Sequence, residues 1–535
     1  MSENVPRKNQ IERLGKVVFD CLIIGGGATG SGTAHDAALR GLNVALIESV
    51  DFSAGTSSRS TKLIHGGVRY LGQFHFGLIR EALRERKRLL NNAPHLVKPL
   101  KFVLPTYKLF EKSYYTIGLT MYDVLAGQSG LPNHRMLSKN DVVNDFPAIN
   151  KNKLTGGVSY YDAQFNDSRL NVILAKSAEM AGACVCNKVK LESLIKENGK
   201  IIGAKVRDIL SGKEIEVKAK VVVNTTGVHI DEIRKMDEPN CKPILAPSQG
   251  IHLVFPKEKV PCHTAMIIPK TSDGRVVFVL PWEDHVVMGT TDTYIEKISE
   301  EPLPLKEEVD FLLKTGNEYL ESKLTKDDIL SVFSGLRPLI SLSGDFDTKN
   351  ISREEMIVVS DSGLVTMGGG KWSTFRQMAE DLTNKLIEVG KLMPIADCST
   401  YDFEFLGKEG YNENLHLTIS QTYNISHETS KRLRNYYGGE VFNVLGKQPV
   451  EIIQGCSFFM EEAIYAIQSE FALTTLDILG RRLRILFLDL KMAEKMIQPI
   501  NDTLARELNW SKETKESDLK KAKDLIESLQ NTISN

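Results

Sequence analysis

The stretch that most constrains this chain is VFDCLIIGGGATGSGTAHDAALRGLNVALIE, residues 18–48. An apolar run from Val18 to Ile24 enters a glycine turn, Gly25-x-Gly27-x-x-Gly30. A helical stretch follows to about Gly41, and a second apolar run ends on Glu48. Each glycine has a reason to lack a side chain. Gly25 makes the tight turn, Gly27 lets the backbone approach a pyrophosphate, and Gly30 lets helix and strand pack closely. The pyrophosphate then sits on the helix N-terminus, where free N–H groups and the dipole favour negative charge. Glu48 closes the second strand, placed to accept hydrogen bonds from an adenosine ribose. A glycine-rich turn in an ordinary βαβ unit would leave Glu48 unexplained. The expected fold class is α/β, built on a Rossmann-like dinucleotide domain.

At 535 residues the chain exceeds one core, so two or three domains are expected. Its 42% hydrophobic and 25% charged residues are those of a soluble globular protein. The balance of 67 basic against 68 acidic residues argues against a large sequence-independent nucleic-acid footprint. The seven cysteines are odd in number and scattered without a CxxC pair, which suits a reducing compartment and not a disulfide framework. Cys184-x-Cys186 reads as two small apolar residues near a strand. No run of 18 apolar residues occurs, so no transmembrane helix is expected. The N-terminus, MSENVPRKNQIERLGK, lacks an apolar signal region and mixes acids with bases, a poor match to a transit peptide.

Along the chain, residues 51–72 are rich in Ser, Thr and Gly and suit an irregular segment against a ligand. Gly66 and Gly67, after His65, let the backbone approach something flat. Residues 77–96 read as an amphipathic helix with its arginines on a solvated face. Residues 106–128 carry Tyr107, Phe110, Tyr114, Tyr115 and Tyr122, either as a core helix or as an interfacial surface rimmed by Lys108 and Lys112. Short strands are expected over 185–227, ending at Thr226-Gly227, then alternating strands to about 352 with one helix near 305–322. GLVTMGGGKWSTFRQMAEDL returns a strand, a glycine triplet and a helix from about Ser373. Such a helix end offers positive potential, a sensible partner for the N1/O2 edge of a reduced flavin. After Met393-Pro394 the chain turns helical and charged. LTTLDILGRRLRILFLDLKMAEKMI reads as one long amphipathic run, and SKETKESDLKKAKDLIESL as a surface helix.

IIGGGATGSGTAHDAALRGL, GTSSRSTKLIHGGVRYL, SDGRVVFVLPW, GTTDT, SGLRPL, GGGKWSTFRQMAED and LTTLDILGRRLRILFLD together resemble the FAD-dependent glycerol-3-phosphate dehydrogenases, most of all the mitochondrial type. The resemblance spans about residues 18 to 510. It implies an FAD domain of the D-amino-acid-oxidase type at 17–76, 155–228 and 353–390, with a substrate or membrane-facing segment at 77–154. A mixed-sheet substrate domain would occupy 229–352 and an all-α domain 391–535. The implied reaction takes sn-glycerol 3-phosphate to dihydroxyacetone phosphate, with hydride to flavin N5 and electrons to a membrane quinone. The setting would be peripheral, on the mitochondrial inner membrane or a related organelle, or on the cytoplasmic face of a plasma membrane; a homodimer is left open. Two departures stand out. No D-x-[DN]-x-[DN]-G calcium loop is present, and Thr226-Gly227-Val228-His229 replaces the family's frequent Thr-Gly-Pro-aromatic.

This reaction needs a flavin, a base for the C2 hydroxyl, cations for a phosphate dianion and an exit for two electrons. Imidazole titrates near ~6.5, so His65 and His252 are the candidate bases, each with a structural role as the alternative. The resemblance adds Arg69 to the catalytic set and implies substrate binding by Arg69, Tyr70, Arg337 and Lys371. Arg337 could instead be a structural ion pair, and Lys371 could neutralise the flavin edge. Thr291 would line the pocket and Asp292 would orient a basic neighbour. The implied FAD contacts are Gly25, Gly27, Ala28, Thr29, Gly30, Glu48, Ser49, Thr56, Ser57, Ser58, Lys62, Leu63, His65, Val189, Thr226, Gly227, Gly369, Gly370, Lys371 and Thr374. An oxidase passing electrons to O2 and releasing H2O2 would use the same half-reaction. A flavoprotein that binds tRNA or a protein partner would need a basic face, which the charge balance lacks.

Overall fold

The computed structural model describes residues 5–67, 76–108, 110–127, 131–271, 274–341 and 355–534. Val18–Ile24 pairs in parallel with Val44–Ile47 on one side and Glu214–Asn224 on the other. Phe19, Cys21, Leu22 and Ile23 are fully buried, as a parallel strand covered on both faces requires. The sheet runs Glu355–Val359, Val365–Gly369, Glu214–Asn224, Val18–Ile24, Val44–Ile47, Cys184–Cys186, and the hairpin Val189–Glu197/Lys200–Asp208 joins it at Glu214–Asn224. Val365–Gly369 is parallel to Glu214–Asn224, so the late glycine-rich segment returns to the first sheet. Helices Ala28–Leu39, Asp167–Met180 and Phe375–Gly390 put Ala34, Ala38, Ala178 and Leu382 into one core with Ile23, Leu46 and Val223.

A second sheet is mixed, in the order Thr293–Tyr294, Leu245–Pro256, His285–Gly289, Val277–Trp282, Ala265–Ile268, Val97–Thr106, Gly156–Phe165, Leu63–Ile64; Ser331–Ile340 also pairs with Leu245–Pro256. The boundary expected at 155 is corrected here. Gly156–Phe165 pairs along its length with Val97–Thr106 and belongs to the second sheet, and the first sheet resumes at Cys184. Pairing with a strand some fifty residues away leaves no mark on local pattern.

Three further expectations change. Residues 391–535 are helical, but Ile478, Leu486, Ile497 and Ile526 share one core with Leu253, Val279 and Phe333 of the second sheet. The run 473–497 is not one helix. It makes a single π-helical turn at Asp477–Arg482, a left-handed residue at Arg484 and a short turn at Ile485–Phe487, then starts a helix at Leu490. Buried carboxylates draw its arginines inward: Arg481 Nε and Arg482 Nη1 lie 2.6 Å from Asp51 Oδ2, and Arg484 Nη2 lies 3.2 Å from Asp167 Oδ1. Burial raises the Asp51 carboxyl, but Arg482 and Arg481 outweigh it and hold the group well below the usual range. Third, Arg86 of the Phe76–Asn92 helix is buried against Asp162 at 2.5 Å, not on a solvated face. Removing one partner of such a pair costs roughly 3–5 kcal/mol.

The Glu111–Ala126 helix buries only Leu119 and Tyr122. Phe110, Tyr114, Ile117, Met121 and Val124 are exposed, at spacings that place them on one face. The core-helix reading of this segment therefore gives way to an exposed apolar stripe.

Candidate active site

The turn after Val18–Ile24 is shaped by contact. Gly25 has φ +106°, and a Cβ there would stand 2.6 Å from the Thr225 carbonyl oxygen. A Cβ on Gly30 would stand 1.9 Å from the Gly25 oxygen, so helix and turn touch at that point. The Ala28 N–H, first in its helix, donates to Ser57 Oγ at 2.9 Å. The Glu48 carboxylate accepts from the N–H groups of Gly26 at 2.7 Å and Val50 at 2.8 Å. Burial pushes that carboxyl upward, against those bonds. Trp372 Nε1 donates to the Ser57 carbonyl at 2.9 Å, tying the third glycine turn to the same loop. Gly369 and Gly370 both have positive φ, which L side chains rarely adopt.

These segments surround a cavity of about 1940 Å³, beyond the roughly 300–1,000 Å³ of ordinary ligand sites and roomy enough for a dinucleotide with a substrate. Gly25, Gly27, Ala28, Thr29, Glu48, Ser49, Thr56, Ser57, Leu63, His65, Val189, Thr226, Gly227, Gly369, Gly370 and Lys371 line it, with His252, Thr291, Asp292 and Arg337. A turn stripped of Cβ atoms beside a helix N-terminus, within this volume, fits the diphosphate of FAD.

Four expected contacts lie off the cavity wall. Gly30 packs its helix on the turn, and Ser58 and Thr374 are buried behind the wall. Lys62 is fully buried, donating to Asp167 at 2.8 Å and to the Ser58 carbonyl at 2.8 Å, with Nζ 4.8 Å from the Phe333 ring centroid. Burial lowers its pKa to about 7 against the pull of Asp167. Segment membership could not show which way these side chains turn. Arg69 and Tyr70 lie outside the described residues.

The other end of the cavity is assembled from distant strands. In register, Ser248 faces Arg337 and His252 faces Phe333 on one neighbour, while His252 faces Gly289 on the other. Arg337 Nη2 donates to Thr290 Oγ1 and to the Thr291 carbonyl, each at 3.0 Å, and Nη1 is 3.6 Å from Asp292 Oδ1. The guanidinium is thus planted on the GTTDT loop at the cavity wall. His252 is buried, its Nε2 3.0 Å from Thr61 Oγ1 and its ring stacked on Phe333 at 4.7 Å. Burial, then Lys62 and Arg337, push its pKa well below the usual value. His65 is half-buried at the wall. The following Gly66 N–H donates to Tyr122 Oη at 3.0 Å and to Asp162 at 3.1 Å, so the buried Arg86–Asp162 pair fixes the backbone that presents His65.

Sequence reasoning did not single out Arg59, Thr61, Thr290 and Arg275, which also line the cavity. Arg275 sits in SDGRVVFVLPW, a segment noted for its resemblance, two residues before the Val277–Trp282 strand, and its place at the wall shows only in the fold. The apolar part of the cavity lining includes Phe102, Leu104, Tyr115, Ile267 and Phe278, and the Glu111–Ala126 helix contributes Tyr114, Ile117 and Met121. Among the described residues, no helix is long and apolar enough to cross a membrane, and no group of three His, Cys, Asp or Glu side chains could hold a metal ion.

A parallel sheet with this glycine turn, joined to a mixed sheet across one large cavity, defines an FAD-dependent oxidoreductase. The family model of that description matches residues 20–376, and the model for the C-terminal domain of alpha-glycerophosphate oxidase matches 398–515. Mitochondrial glycerol-3-phosphate dehydrogenases of Mus musculus and Arabidopsis thaliana are 40% and 41% identical, over 94% and 96% of this chain and 72% and 87% of their own. The chain belongs to the FAD-dependent glycerol-3-phosphate dehydrogenase family. A solved glycerol-3-phosphate dehydrogenase from Bacillus halodurans complexed with FAD superposes with a TM-score of 0.81 at 28% identity, covering 99% of both chains.

Proposed function

We propose that this protein oxidises sn-glycerol 3-phosphate to dihydroxyacetone phosphate and passes the electrons to a membrane quinone. The observation that carries the reading is one cavity that joins a dinucleotide cradle to histidine and to the cations Arg337, Lys371 and Arg275. Bound FAD supplies the two-electron acceptor. Gly25, Gly27 and the helix N-terminus at Ala28 would hold its diphosphate, with Glu48 for the ribose. Arg337 suits a bidentate phosphate contact and Lys371 a point charge. His65 takes the C2 hydroxyl proton. His252 is the weaker acceptor, because burial and two neighbouring cations oppose a positive charge on it.

The apolar cavity lining and the exposed stripe on the helix that contributes to it support the exit of electrons at a membrane surface. A helix with aromatic and aliphatic side chains turned to solvent binds the interface in proportion to its apolar area. The relatives named mitochondrial support a mitochondrial membrane as that surface, and the inner membrane is the one proposed. Phe110→Ser with Val124→Ser, both exposed and away from the cavity, should cut liposome co-sedimentation about tenfold, by loss of apolar area, with soluble-dye activity retained. Unchanged co-sedimentation removes the stripe from membrane binding. The catalytic reading is tested by adding glycerol 3-phosphate to purified protein and following the bound flavin's absorbance. Bleaching, with reoxidation by a quinone analogue and little peroxide per substrate, is expected. Stoichiometric peroxide would make the protein an oxidase, and no bleaching would end the reading.

A further inference from the structure

Glu308 is 4% exposed, the third residue of the Lys306–Tyr319 helix, and not part of the cavity wall. Its carboxylate collects hydrogen bonds from the substrate end of the molecule. Oε1 accepts from Thr291 Oγ1 at 2.7 Å and Thr293 Oγ1 at 2.8 Å. Oε2 accepts from Gln249 Nε2 at 2.8 Å and from the Leu305 N–H at 3.1 Å. Thr291 Oγ1 in turn accepts the Ile251 N–H at 3.0 Å, so one carboxylate clasps the GTTDT loop to the strand that carries His252. The same loop supplies two acceptors for Arg337 Nη2, Thr290 Oγ1 and the Thr291 carbonyl.

We propose that Glu308 is the positioning residue of the phosphate site: it fixes the Thr290–Thr293 loop on which the Arg337 guanidinium is aimed. This rests on the reading that Arg337 holds the phosphate. The chemistry demands a carboxylate. All four partners named above donate, and each oxygen accepts two of them. A carboxamide must place an NH2 at one of those oxygens, facing two donors. The hydroxyls can turn, but the loop then loses a bond to its anchor, and Arg337 loses a fixed platform. Glu308 does not line the cavity, so the change removes no direct contact with a ligand; loss of its negative charge would by itself favour an anion and lower KM, the opposite sign to the rise expected from a loosened loop.

The test compares Glu308→Gln, Thr293→Val and Arg337→Ala as holoenzymes. Glu308→Gln should raise the KM for glycerol 3-phosphate about tenfold, the change made by ~1.4 kcal/mol. The inhibition constant of inorganic phosphate should rise in parallel, with kcat within about twofold and FAD content unchanged. Thr293→Val removes one donor at a position off the wall and should move the same constants about threefold, as expected for a single modest hydrogen bond. If Glu308→Gln does not fold, Thr293→Val decides. A fall in kcat or in bound FAD with KM and phosphate inhibition unmoved would make Glu308 structural and overturn the proposal. If Arg337→Ala leaves KM unchanged, the phosphate reading itself fails. If Arg337→Ala raises KM while the other variants leave it alone, only the role of Glu308 is lost.

Discussion

The two ends of the cavity are built on opposite plans. The cofactor end is local: strand, glycine turn, helix and Glu48 all fall within residues 18–48, and it works through backbone N–H groups and missing side chains. The substrate end is dispersed: His65, His252, Thr291, Arg337 and Lys371 come from five segments, and it works through charge held in place by other side chains. A backbone site has nothing to truncate and fails by steric intrusion. A side-chain site fails by degrees, one contact at a time. The difference fixes what substitutions should do at each end.

The largest effect is expected where intrusion is worst. Gly30→Val places carbon where the Gly25 carbonyl oxygen stands, 1.9 Å from the ideal Cβ, and should abolish FAD retention, read as loss of flavin absorbance near ~450 nm, because the diphosphate turn needs that close packing. A variant that keeps its flavin would break the contrast. At the substrate end, His65→Ala should keep FAD and slow flavin reduction by roughly 10²–10⁴-fold in single-turnover kinetics, the usual contribution of a positioned base. The same loss in His252→Ala with normal His65→Ala would reassign the role. Arg337→Ala should raise KM for glycerol 3-phosphate about ten- to a hundredfold, since a hydrogen bond to a charged group is worth roughly 1.5–3 kcal/mol. Flavin loss in that variant would mean that the dispersed end also supports the local one.

The smallest effect, counted per pH unit, concerns stability. His35, in the Ala28–Leu39 helix, is pushed down to about 4 by burial, against ~6.5 when unfolded. Between those values the unfolded chain binds more protons, so stability falls as pH drops from ~6.5 toward 4, by at most ~1.4 kcal/mol per unit from this one group. Above that window the contribution vanishes. Thermal unfolding across pH 4–7 should show a shallower slope in His35→Gln than in the parent. An unchanged slope would mean that the cofactor end is not where acid acts.

Legibility in the sequence followed the same division. The glycine turn and Glu48 could be read directly because their partners are neighbours in the chain, and nearly every position proposed there lies at the wall. Lys62 misled because a residue in the right segment turned away, drawn to buried Asp167. Arg86 misled for a similar reason, since an arginine in an amphipathic helix is read as solvated until a carboxylate from another strand lies beside it. The run 473–497 has a helix's apolar spacing, yet Asp51 and Asp167, more than 300 residues upstream, bend it around three arginines.

By itself the sequence determined the dinucleotide turn and the apolar strands that flank it, because each depends on interactions within about thirty residues. Only the tertiary structure decided that Gly156–Phe165 joins the second sheet, that the C-terminal helices share that sheet's core, and that Phe110, Tyr114, Ile117, Met121 and Val124 are left exposed. It alone set Glu308 under the loop that holds Arg337. Strand pairing, burial and ion pairing are settled by whichever distant partner offers the lower free energy, and local pattern carries no record of that choice.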